Sequence, residues 1–133
     1  MSPTLEDGQC VLLMPSFLHR SRLLRGDVVV LRQLAPPWGW IIKRIVGMPD
    51  ESILLDGGRL YADDLLLMPD FIPAGPDGKV NGNWWNGRDE YFVLGDNPAH
   101  STDSRAFGPV PAERIVGRAW LRCWPPKAWG RVR

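Results

Sequence analysis

The chain has 133 residues, with 16 Lys plus Arg against 15 Asp plus Glu and a formal charge of +1. That balance carries no electrostatic footprint for a phosphate backbone, so nucleic acid is not expected as a partner. With 44% hydrophobic and 23% charged residues, the chain can bury a core, and its length predicts a single domain over residues 1–133. Cys10 and Cys123 are too few for a zinc cluster or a disulfide scaffold; one bridge between them stays open beside the alternative of two small hydrophobes.

Thirteen prolines and fourteen glycines interrupt most segments before three helical turns can form, so the expected fold class is mainly β and antiparallel. In chain order, apolar and alternating runs predict strands at 9–14, 27–32, 40–46, 52–55, 59–62, 90–94 and 115–124. Asp56-Gly57-Gly58 predicts a hairpin turn between the fourth and fifth of these, because consecutive glycines supply the positive φ of a tight reversal. Residues 68–88, with Pro69, Pro73, Pro76 and the adjacent Trp84 and Trp85, are expected to form one long loop excursion. No window reaches the roughly 18 apolar residues of a spanning helix. The opening Met-Ser-Pro-Thr-Leu lacks the basic and apolar regions of a secretory signal.

Two segments carry candidate chemistry. In a strand over 40–46, period-two alternation sets Ile41, Lys43 and Ile45 on one face and Trp40, Ile42, Arg44 and Val46 on the other. A lysine between isoleucines has two readings. Desolvation could hold its pKa down, as a general base needs, or its stem could cover apolar surface while the ammonium reaches water. The second segment, Gly95 to Gly108, follows a hydrophobic strand and is dense in turn formers, hydroxyls and charges. Asp103 and Arg105 can form a charge-assisted pair there. It reads either as a site or as a well-capped surface loop.

Four stretches occur in a fixed order: Met1-Ser2-Pro3-Thr4-Leu5, Arg25-Gly26-Asp27-Val28-Val29-Val30, Lys43-Arg44-Ile45-Val46-Gly47-Met48-Pro49, and Gly95-Asp96-Asn97 through Ser101-Thr102-Asp103-Ser104-Arg105 to Gly108. Together they resemble the conserved boxes of bacterial signal peptidase I, a membrane-bound serine endopeptidase that removes signal peptides from exported proteins. Phe107 to Pro111 and Ile115 to Ala119 extend the likeness. The resemblance implies a coiled, antiparallel β-sheet or partly open barrel of the signal peptidase type. It also implies a Ser/Lys dyad with Lys43 as general base, Ser101 orienting the lysine amine, and Asp103 and Arg105 as a bracing pair. No cofactor or metal is implied. The implied partners are signal peptides of exported precursors, cut after small-x-small motifs, and a membrane surface. A monomer is expected, held on the outer face of the cytoplasmic membrane through an anchor outside these 133 residues. His19 and His100 have no part in such a dyad.

The resemblance also implies a nucleophile immediately before the methionine of the first box, which here is residue 1. The chain by itself is therefore expected to lack the nucleophile and to be inactive. Ser2 sits two positions along from the nucleophile's place, and misplacement by an ångström already costs about a hundredfold. Asp50-Glu51 stands where the family has Gly-Asp. Trp84, Trp85, Trp124 and Trp129 are candidates for dipping into a membrane surface or for core packing. Two alternatives stay open: a related Ser/Lys maturation protease with a dedicated substrate, and a non-catalytic module that binds extended peptides by strand addition.

Overall fold

A computed structural model of the chain describes residues 4–15, 23–67, 81–97 and 100–132. Strand β1 is Cys10–Pro15, β2 Val28–Gln33 and β3 Gly39–Gly47. They are followed by β4 Ser52–Asp56, β5 Arg59–Ala62, β6 Leu65–Leu66, β7 Gly82–Trp85 and β8 Glu90–Leu94. After β8 come a single helical turn, α1 (Ser104–Phe107), then β9 Val110–Pro111, β10 Ile115–Trp124 and β11 Gly130–Arg131. The fold is mainly β, and every pairing is antiparallel. One sheet has the order β1-β10-β2-β3-β8-β9, with β11 on β10; the other has the order β6-β5-β4-β7. The large sheet is open, not closed into a barrel.

Alternation explains how the sheets hold together. In β3, Ile45 enters one core cluster with Val29, Leu31, Tyr91, Val93 and Val110. The next residue, Val46, enters a second with Ile53, Leu55, Leu60 and Phe92. Successive side chains point to opposite faces, so β3 and β8 sit between two apolar layers. The chain leaves the large sheet after β3 to build the small one and returns to it as β8, directly beside β3. Gly47 marks the crossing: a Cβ there would lie 2.6 Å from Ile53 Cδ1 and 2.7 Å from Phe92 Cβ.

One expectation is corrected, and one open choice is decided. Within the stretch expected as a loop, Gly82–Trp85 is a strand paired with β4, and residues 68–80 lie outside the described ones. Trp84 does not face the surface: its ring packs on Phe92 with centroids 4.8 Å apart, while Trp85, Trp124 and Trp129 are exposed. Period-two alternation separates the two neighbours, and only Trp84 finds a core to fill. Cys10 and Cys123 are unbridged, with the Cys123 thiol 3.5 Å from the Cys10 carbonyl oxygen.

Candidate active site

Lys43 lies mid-strand in β3, opposite Val29 of β2, on the face shared with Ile41 and Ile45. β8 is the other neighbour of β3, and the segment that leaves β8 at Gly95 turns back through α1 to form β9 on the far side of β8. This path brings Ser101 within reach of Lys43. Lys43 Nζ donates to Ser101 Oγ at 2.8 Å. Gly95 makes room for this contact, since a Cβ there would fall on the Ser101 side chain and 3.6 Å from Lys43 Nζ.

Asp103 holds the segment in that shape. Its Oδ2 accepts from the Gly95 backbone N–H at 3.0 Å and from Arg105 Nη2 at 2.9 Å; its Oδ1 accepts from Arg105 Nε at 2.8 Å. The same Oδ1 accepts from the Arg105 backbone N–H, which makes Asp103 the N-cap of α1. Arg105 Nη2 also reaches the Ser101 carbonyl at 3.4 Å. Ser104, fully buried, accepts from the Val93 N–H at 2.9 Å and ties the turn to β8. Lys43, Ser101, Asp103 and Arg105 are thus brought together. His100 is exposed in the same segment; Ser2 and His19 lie outside the described residues.

Burial pushes the Lys43 amine below its ordinary value of 10.5; the negative Asp103 works against that shift and the positive Arg105 with it. Burial acts to raise the Asp103 carboxyl, but the Arg105 and Gly95 hydrogen bonds, the Arg105 charge and the Ser101 hydroxyl outweigh it and hold it below 3.8. A half-buried amine with a lowered pKa beside a hydroxyl is equipped to take a proton. Among the described residues no group of three His, Cys, Asp or Glu is placed to hold a metal ion.

Sequence reasoning passed over a second link between the two boxes. Arg44, adjacent to Lys43 but on the other face, is buried and forms a two-pronged ion pair with Asp96, Nε to Oδ1 and Nη2 to Oδ2, each 2.8 Å. It also donates to the Gly26 carbonyl at 2.8 Å and to Thr4 Oγ1 at 3.0 Å. An arginine inside an apolar run and an aspartate directly after Gly95 were the available signals.

The family model for signal peptidase, peptidase S26, matches residues 1–124 of the chain. The chain belongs to the signal peptidase family, peptidase S26. A signal peptidase I of Leptolyngbya laminosa is 33% identical over 142 residues, covering 99% of this chain and 68% of the relative. A mitochondrial ATP-independent inner membrane protease subunit 1a of Arabidopsis thaliana is 34% identical over 134 residues, covering 100% and 70%. The crystal structure of a signal peptidase I from Enterococcus faecalis V583 shares the fold, with a TM-score of 0.61 at 24% identity, covering 73% of this chain and 96% of that one. Among the described residues of this signal peptidase family member, no helix is long and apolar enough to cross a membrane.

Proposed function

We propose that this chain is the catalytic domain of a Ser/Lys signal peptidase that cuts exported precursors after small-x-small motifs. Lys43 is the general base, Ser101 orients its amine, and Asp103 with Arg105 braces Ser101. The nucleophile is a serine directly before Met1. Its hydroxyl oxygen attacks the scissile carbonyl while neutral Lys43 Nζ takes the proton. The lysine returns that proton to the leaving amine as the acyl-enzyme forms, and it then activates the water that releases the acyl group. The 2.8 Å contact between Lys43 Nζ and Ser101 Oγ, on an amine whose burial favours the neutral form, carries this reading. The same reading puts the domain on the outer face of the cytoplasmic membrane, through an anchor upstream.

The test extends the chain by one serine before Met1 and offers it a peptide with a small-x-small motif. Cleavage that needs both the added serine and Lys43 supports the reading; binding without cleavage by the extended chain overturns it in favour of a peptide-binding module. The Arabidopsis relative, called an inner membrane protease subunit, matches as well as the Leptolyngbya signal peptidase and favours a second reading as a maturation protease with a dedicated substrate. Cleavage across many exported precursors, or of only one, separates these two.

A further inference from the structure

β10 outruns its neighbour β2. Their pairing ends at Ala119 opposite Val28, and β10 next pairs with β11 at Leu121 opposite Arg131, while the chain before β2 turns away through Arg25-Gly26-Asp27. The gap between is a cavity of about 590 Å³, within the range of roughly 300–1,000 Å³ typical of small-molecule sites. Four arginines line it, Arg25, Arg44, Arg118 and Arg131, together with one carboxylate, Asp27. Neither Lys43 nor Ser101 does.

Two of the four are committed. Arg25 is paired with Glu51 and Arg44 with Asp96. The other two are held less tightly. Arg118 has one long contact to Asp27 Oδ2, at 3.5 Å, and that oxygen already accepts from the Leu24 N–H at 2.9 Å. Arg131 has no carboxylate partner among the described residues and is exposed. Val28, Ala119 and Val132, which belong to one apolar cluster, also line the cavity. One guanidinium with only a long ion-pair contact and one with no carboxylate partner among the described residues, beside an apolar wall, present fork donors suited to phosphate or carboxylate oxygens.

We propose that this cavity binds a phosphate group through Arg118 and Arg131, either free or as the headgroup of an anionic phospholipid. The reading is independent of the Lys43 chemistry. Thermal unfolding of the full chain at pH 7 in phosphate, acetate or chloride of matched ionic strength tests the free source. Co-sedimentation with phosphatidylglycerol or phosphatidylcholine vesicles tests the lipid source. Both are run on the wild type, on Arg131→Gln, whose exposed site leaves the phosphate-free Tm unchanged, and on Arg118→Gln/Arg131→Gln. A phosphate-specific rise in Tm of about 4 °C at ten times Kd, lost in both variants, assigns free phosphate. Phosphatidylglycerol binding lost in both variants, without that rise, assigns the headgroup. No signal in either arm, an equal rise in acetate, or a signal that survives the double substitution overturns the proposal.

Discussion

Lys43 is useful as a base only without its proton, and burial against Val29, Ile41 and Ile45 biases it that way. On the proposed mechanism, cleavage by the serine-extended chain rises with pH through a lysine value below 10.5 and then levels; a kcat/KM profile measures it. Lys43→Met abolishes cleavage. Because the folded chain gives up this proton sooner than the unfolded one, stability rises with pH from the lowered value up to 10.5, and Lys43→Met removes that slope in denaturant melts. Ser101→Ala frees the amine from its hydrogen bond and is expected to cost about a hundredfold in kcat, with Tm little changed. Asp103 works at the acid end with the depressed carboxyl of an ion pair. Its contribution is complete above 3.8 and is lost as pH falls through its lower folded value, so Asp103→Asn lowers stability at pH 7 and flattens the acid limb of the melt.

At the scale of elements, the turn between β3 and β4 carries two opposite constraints. Asp50 has φ of 61°, in the left-handed region, where the family resemblance has glycine. An aspartate tolerates that conformation at a cost of roughly 1–2 kcal/mol, so Asp50→Gly is expected to raise stability by about 1 kcal/mol in urea melts. Gly47, three residues earlier, has no room for a Cβ between Ile53, Phe92 and Asn86; Gly47→Ala is expected to cost about 1–3 kcal/mol in the same measurement. Strands β5, β8 and β10 occupy the residues that alternation predicts, and β1 to β4 differ by a residue at one or both ends. β6, β7, β9 and β11 were not legible. Each is two to four residues long and exists because a longer strand offers it an edge.

Across the whole molecule, Arg44 and Asp96 join what the sequence keeps 52 residues apart. The pair is buried and sits one residue from Lys43 on one side and one residue from Gly95 on the other. It locks β3 to the segment that carries Ser101. Removing one partner leaves a buried charge, at a typical cost of 3–5 kcal/mol, so Asp96→Ala is expected to destabilise the chain by about that much in chemical denaturation. A double variant with Arg44→Met recovers part of the loss, because two neutral side chains leave no unpaired buried charge, although the Gly26 carbonyl and Thr4 hydroxyl lose their donor.

The sequence by itself determined the family, the antiparallel β character and the two boxes that hold the candidate site, because motif order and period-two alternation are written locally along the chain. It left Lys43 divided between a buried base and a snorkelling cation, and only the tertiary structure places the amine 2.8 Å from Ser101. The physical reason is that desolvation and charge depend on what β8 and its following segment lay against β3. The same holds for the Arg118 and Arg131 cavity, which exists because one strand is longer than its neighbour.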